Sequence, residues 1–319
     1  MDQPPIRVAL IAGAGRVGST LLERLLGQVE GFCAVGEVRQ IWLRSFGADQ
    51  RCGCGRPFSR CPFWRPVVEG AFGDEEGFDP RAVRRLQEDV DHLWLLPSML
   101  TVARSRRFDR RFREYAGIMA RLYRSIGTVS GARVVVDSSK TPSHIGVLAA
   151  APGLRLHVIH LVRDSRAVAF SWTRTRLRPE IEWEPRYMPR YGPVRSALEW
   201  DAMNASVHAL RRVPASYLRV RYEDLVADPA GTLRAIVSLL APDAHPDLGF
   251  VAEGRAVLEA NHTVSGNPTR FETGPVEVRE DAEWERELRP GHRVLVTALT
   301  SPLLAAYGYL GPKAPRSGR

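Results

Sequence analysis

Two arginines, Arg16 and Arg163, stand in turns that could hold an anion. Arg16 lies in residues 6–20, IRVALIAGAGRVGST, and Arg163 in residues 156–172, LHVIHLVRDSRAVAFSW. Each stretch reads as an apolar run, a polar turn and then a helical pattern. A strand that ends in such a turn and opens a helix presents backbone N–H groups and the positive end of the helix dipole. An arginine there adds a full charge and a planar fork of donors. The first turn nearly matches the phosphate loop G-x-x-x-x-G-K-[ST]: Gly13 and Gly18 have the spacing and Thr20 supplies the hydroxyl, but Ser19 stands where the lysine belongs. The missing lysine normally reaches the β- and γ-phosphates, so its loss argues against ATP or GTP chemistry. A glycine-rich turn alone is also compatible with a tight turn that binds nothing.

The elements that must position these turns follow from the pattern. Residues 33–38 read as a short strand ending in Gly36-Glu37. Residues 133–136 are a β-branched run that delivers Asp137-Ser138-Ser139-Lys140 at its C-terminal end, the edge where open α/β sheets bind ligands. Residues 217–222 read as a further strand. Helical patterns cover 21–26, 195–212, 229–240 and, broken near Pro290-Gly291, 281–307. Residues 41–131 look like an inserted helical region. Within it Phe108, Phe112 and Tyr115 share one face, and Arg106, Arg107, Arg110, Arg111 and Arg113 lie largely elsewhere, which reads as an amphipathic helix with a solvated basic face. Residues 173–193 are rich in Pro, Arg and aromatics and read as a long loop, an acceptor lid in which Trp183, Tyr187, Met188 and Tyr191 could line a site. The fold class expected is α/β, one domain over 1–311 with a mostly parallel sheet flanked by helices, followed by a frayed tail over 312–319.

The two turns together resemble those of the sulfotransferases that use 3′-phosphoadenosine 5′-phosphosulfate (PAPS). In that family a (K/R)-x-G-[ST]-[ST] loop after the first strand holds the 5′-phosphosulfate; here it reads Arg16-Val17-Gly18-Ser19-Thr20. A later strand supplies an arginine and, eight positions on, a serine that bind the 3′-phosphate; here these are Arg163 and Ser171. GEV at 36–38, DSSKTP at 137–142, VRYEDL at 220–225 and GNPTRF at 266–271 extend the resemblance over most of the chain, nearer to bacterial members and the tyrosylprotein branch than to the cytosolic animal enzymes. The resemblance implies a P-loop-like sulfotransferase fold and in-line, metal-independent transfer of a sulfuryl group to a hydroxyl of a small-molecule, glycan or lipid acceptor. It implies that Glu37 takes the acceptor proton, unless it merely pairs with Arg39 or another arginine. Lys140, with Arg16, supports the leaving oxygen, and Ser138 helps orient the sulfuryl group. Arg270 returns to clamp the 3′-phosphate, and Tyr222 either approaches the adenine or packs structurally. The cytosolic relatives carry a catalytic histidine two residues after the lysine; that position is Pro142 here, so His144 is the second choice of base.

Composition bounds these readings. The formal charge of +9, from 45 Lys and Arg against 36 Asp and Glu, suits a polyanionic cosubstrate, but equally a nucleic acid or an anionic surface. A small-molecule kinase and a non-catalytic basic binding module are therefore the rival classes; the spacing of Arg163 and Ser171 has no role in the second. No run of about 18 apolar residues is present, and the first apolar run fits a core strand better than a signal peptide, so a cytoplasmic location is expected. Cys52, Cys54 and Cys61 form a C-x-C-x6-C pattern with no clear fourth ligand nearby, and Cys33 stands apart. The pattern reads as a structural loop with reduced or paired thiols, a metal site or a redox site. No carboxylate pair suggests a catalytic metal.

Overall fold

The structure, a computed structural model, describes residues 4–73, 78–101, 104–181 and 186–311. Five parallel strands form the central sheet: β1 Ile6–Ala12, β2 Phe32–Gly36, β3 Val134–Lys140, β4 Leu154–Val162 and β5 Ser216–Arg221, in the spatial order β2-β3-β1-β4-β5. β1 lies at the centre, so its C-terminal turn sits between those of β3 and β4. That order places the turns carrying Arg16, Lys140 and Arg163 side by side, although they are far apart in the chain.

The strands are apolar without alternation because both faces of the sheet are covered. Val8 and Leu10 of β1 join one core while Ala9 and Ile11 join the other, and β3 and β4 divide their residues in the same way. The helices are α1 Ser19–Leu26, α2 Trp64–Phe72, α3 Pro80–Val90, α4 Leu96–Leu100, α5 Arg106–Ser130, α6 Pro142–Ala150, α7 Ser165–Thr173, α8 Pro193–Ala209, α9 Tyr222–Ala227, α10 Pro229–Leu240, α11 Trp284–Glu287 and α12 Pro290–Ala306. Several begin where a proline supplies the fixed φ of a first helical turn, and Asp79, Asp164 and Asp228 cap α3, α7 and α10 by accepting from backbone amides.

The segment 41–131 is more than an appendage. Its Trp42, Trp64, Phe72, Phe112 and Tyr115 are fully buried and build most of the core on one face of the sheet. The aromatic face of α5 points inward as its spacing predicts. Its basic face is solvated, with Arg111 on Asp89 and Arg113 on Asp109. A second, antiparallel sheet is made by β6 Val251–Ala252, β7 Arg255–Leu258 and β8 Gly274–Glu277, in the order β6-β7-β8. The sequence reading missed it. Its strands are two to four residues long and too short to display a period. Among the described residues no helix is long and apolar enough to cross a membrane. The tail over 312–319 and Trp183 of the lid lie outside the described residues.

Candidate active site

A cleft of about 400 Å³ opens at the C-terminal edge of the central sheet. It is bordered by Arg16, Gly18, Ser19, Thr20, Glu37, Lys140, Arg163, Ser171 and Tyr222; of the described residues singled out for the site from sequence, Ser138, Arg270, the alternative base His144 and Tyr187 of the lid do not reach it.

The loop after β1 forms one wall. Gly18 has φ +90° and precedes α1; a Cβ there would lie 2.5 Å from the Tyr222 ring, so this position needs glycine both for its backbone and for the close approach of that ring. The Leu21 and Leu22 amides donate to the Gly18 carbonyl at 3.0 and 3.2 Å, and Ser19 and Thr20, whose amides open α1 ahead of the helical ladder, border the cleft. Arg16, itself in the left-handed region at φ 66°, stacks its guanidinium on Trp172 at 4.7 Å. All three of its guanidinium nitrogens are covered, and none has a hydrogen-bond partner in the protein. Burial, with Arg176 nearby, lowers its pKa to about 10, which leaves it charged at neutral pH. A covered cation with no protein partner is costly unless an anion completes it.

The opposite end is set by Arg163, Ser171 and Tyr222. The Arg163 guanidinium lies 4.5 Å over the Tyr222 ring, donates to the Arg16 carbonyl at 3.3 Å, and stands 3.6 Å from an Asp281 carboxylate oxygen. Its backbone is held by Trp200, whose Nε1 donates to the Arg163 carbonyl at 2.9 Å. Ser171 lies two turns along α7 from that strand end, which is why its spacing from Arg163 brings both to one pocket.

Glu37 and Lys140 meet between these walls. Lys140 Nζ donates to Glu37 Oε1 and, at 3.0 Å, to the Ser138 carbonyl. Burial pushes the Glu37 carboxyl upward, but Lys140 and Arg44 outweigh it and hold the group below the usual carboxylate value. Arg39, the other partner considered for Glu37, instead binds Asp91 at 2.9 Å. The Glu37 amide donates to the Val264 carbonyl at 2.8 Å, and the Val264 amide donates to the Val35 carbonyl at 2.9 Å, so the loop before the single 3-10 turn Pro268–Phe271 is laid directly on the end of β2. Gly36, at φ +87°, permits that approach: a Cβ would sit 2.1 Å from the Val264 carbonyl oxygen.

Three expectations need correction. His144 is fully buried, its Nδ1 3.1 Å from Asp91 and its Nε2 3.7 Å from Asp137, and these carboxylates override the effect of burial to raise its pKa to about 9. It belongs to a structural network and does not face the cleft. Ser138 donates to Glu23 Oε2 at 2.7 Å and is 1% exposed, so its hydroxyl is committed beneath the cleft floor. Arg270 is also buried and turns away: it donates to the Thr263 carbonyl at 2.5 Å and to the Arg51 carbonyl at 2.6 Å. Its loop still reaches the cleft through Gly266, Asn267 and Thr269, and the Asn267 amide approaches the Thr20 hydroxyl at 3.4 Å.

Sequence reasoning missed Arg44, Arg176 and Glu23. Arg44 borders the cleft and donates to Ser265 Oγ at 2.9 Å; Arg176 borders it from the lid. Neither lies in a motif. Glu23 is 1% exposed and accepts from the Gly36 amide and from Ser138, and burial pushes its carboxyl up to about 8. A carboxylate next to the leucines of a helix that follows a core strand was the available signal. The lid pairs on itself, with the Met188 amide on the Arg176 carbonyl and the Arg178 amide on the Arg186 carbonyl, both at 2.8 Å. Met188 and Tyr191 line the cleft, Tyr191 stacking on Trp172 at 4.2 Å, whereas Tyr187 is exposed.

Comparison with known proteins agrees with this architecture. The chain is similar over 98% of its length, and 98% of the other's, to the sulfotransferase domain from the Synechococcus PCC 7002 olefin synthase, with a TM-score of 0.52 and 20% identity, a likeness of fold. It also aligns with the sulfotransferase domain from the curacin biosynthetic pathway at 16% identity and a TM-score of 0.48, covering 94% of this chain and 99% of that one. Comparison with curated protein sequences found no match. The description of the sulfotransferase family matches residues 9–245, most of the chain, from within β1 through the whole of β2 to β5, and the chain belongs to that family.

Proposed function

We propose that the chain transfers a sulfuryl group from PAPS to a hydroxyl of a small-molecule, glycan or lipid acceptor, without a metal ion in the chemical step. The observation that carries this reading is the buried, unpartnered guanidinium of Arg16 beside the amides that open α1. That combination suits one terminal anion rather than a metal-bridged triphosphate, and Ser19 leaves no lysine to reach further phosphates. Arg16, Gly18, Ser19 and Thr20 hold the 5′-phosphosulfate end; Arg163 and Ser171 hold the 3′-phosphate. Tyr222 lies under Arg163 and against Gly18, which supports the packing role for it. PAPS, when bound, supplies an activated sulfuryl group on a good leaving oxygen.

The chain's own groups do the rest. Glu37 accepts the acceptor's proton as the hydroxyl attacks. Lys140 and Arg16 offer fixed positive charge where negative charge grows on the departing oxygen. A transferring sulfuryl carries less charge than a phosphoryl group, so arginine and lysine suffice where kinases need Mg²⁺. Brief exposure to chelator in the assay therefore leaves turnover unchanged.

The test is a thermal shift with 3′,5′-ADP against AMP and ATP. A rise in melting temperature that requires the 3′-phosphate and is lost in Arg163→Ala/Ser171→Ala supports the reading. A larger shift with ATP and Mg²⁺, or an unaltered response in that double variant, would falsify it.

A further inference from the structure

The three cysteines of the insertion, which the reaction above does not use, lie together with a histidine from the other end of the domain. Cys52, Cys54, Cys61 and His262 each offer one ligand atom, and all four atoms lie within 4.8 Å of one another. Cys61 Sγ is 3.5 Å from Cys52 Sγ and 3.8 Å from Cys54 Sγ; His262 Nδ1 is 3.3 Å from Cys61 Sγ and 3.8 Å from Cys52 Sγ. A disulfide needs sulfurs about 2.0 Å apart, so none of these pairs is bridged. A tetrahedral zinc ion with Zn–S of about 2.3 Å and Zn–N of about 2.0 Å gives S···S edges of roughly 3.8 Å and S···N edges of roughly 3.5 Å. The four separations above lie within about 0.3 Å of those edges, and all six are within 4.8 Å. Cys52 and Cys61 are fully buried, and backbone amides already point at the sulfurs: those of Phe63 and Trp64 at Cys61, and that of Cys54 at Cys52. Amides donated to sulfur support thiolate ligands in the second layer of a metal site.

We propose that Cys52, Cys54, Cys61 and His262 bind one structural zinc ion, the three thiols releasing their protons as it binds. The set is closed, with no open coordination position, so the ion fastens rather than catalyses. What it fastens is specific. The Trp64 Nε1 donates to the His262 carbonyl at 2.7 Å, the Phe63 ring stacks on the His262 ring at 5.1 Å, and the Gly53 amide donates to the Thr263 carbonyl at 2.9 Å. Two residues past His262, Val264 is paired with the end of β2 at Glu37. The ion therefore ties the helical insertion to the loop that both flanks Glu37 and borders the cleft. Sequence spacing could not reveal it, because the fourth ligand stands 201 residues after Cys61.

The full chain, purified without chelator or added metal, should carry about one zinc per molecule by elemental analysis. Displacement by cobalt(II) should give the intense visible bands of a tetrahedral site and a sulfur-to-cobalt charge-transfer band. His262→Ala should lose the ion, and His262→Cys should retain it, which separates ligand loss from general damage to the loop. Prolonged dialysis against a strong chelator should lower the melting temperature by roughly 5–10 °C, and readdition of zinc should restore it. Metal-free protein with no tetrahedral cobalt spectrum would overturn the proposal, as would full zinc content in His262→Ala or a disulfide among the three cysteines in the native chain. Metal content and spectrum do not depend on the identity of the donor nucleotide, so this proposal and the sulfuryl-transfer reading fail by different results.

Discussion

At the scale of single residues, the proposed chemistry turns on the contact between Glu37 and Lys140. The Lys140 ammonium is engaged by the Glu37 carboxylate, which keeps Glu37 ionised and weakly basic. If a bound donor draws Lys140 toward the leaving oxygen, the carboxylate loses its partner and gains basicity as the acceptor attacks. Glu37→Gln should therefore lower kcat by about 10²–10⁴-fold while 3′,5′-ADP affinity, measured by calorimetry, stays within about threefold of the parent, since the neutral amide removes only the base. Equal losses in both would mean that Glu37 merely orders the cleft. Lys140→Ala should slow transfer by a similar factor and move the acid limb of the pH–rate profile to higher pH, because the cation that holds Glu37 below 4.5 is gone. The sign for stability is the same. A depressed carboxylate contributes stability that is present above its unfolded pKa and is lost as pH falls through the folded one, so the parent, but not Lys140→Ala, should show this loss below about pH 4.5.

At the scale of elements, Glu23 acts as a bracket. It stands on α1 and accepts from the Gly36 amide at the end of β2 and from Ser138 in β3, so one carboxyl fixes the two strand ends that present Glu37 and Lys140. Its folded pKa is raised by burial from 4.5 to about 8, so the native state binds more protons than the unfolded chain between those values. Stability should therefore fall as pH rises through this window, by up to about 1.4 kcal/mol per unit. Glu23→Gln, which mimics the neutral form, should flatten that fall in urea titrations at pH 5, 6.5 and 8; an undiminished slope would show that another group titrates. The loop after β1 depends in turn on Gly18. Gly18→Ala forces a side chain into the left-handed region and against the Tyr222 ring, which should cost more than about 1 kcal/mol and weaken nucleotide binding together with it. Were stability and affinity both unchanged, the ring would have to be free to move aside.

At the scale of the whole molecule, the central sheet was legible because both its faces are buried. Runs such as residues 6–12 and 134–136 had to be strands of a covered parallel sheet, and Pro229 marked a helix start. What the sequence concealed was mostly tertiary. The direction of Arg270, the burial of His144 and the approach of His262 to three distant cysteines depend on which loops meet, and no local period encodes that. The same distinction separates two kinds of charge. Arg16, Arg44, Lys140, Arg163 and Arg176 converge on the cleft against Glu37 and Asp281, whereas the arginines along α5 do not border it. Nucleotide capture should accordingly follow the cleft and not the overall charge of +9. Raising NaCl from about 30 to about 300 mM shortens the Debye length from roughly 18 to 6 Å and should weaken 3′,5′-ADP binding by about tenfold or more. The buried contacts at Arg16 are screened less, so measurable affinity should persist at the higher salt. Arg107→Glu/Arg110→Glu on α5 should leave both the affinity and its salt slope within about twofold of the parent, while Arg176→Glu should reduce both. If the α5 variant lost as much as Arg176→Glu, binding would be steered by the surface as a whole, and the five converging cations would not be what selects the ligand.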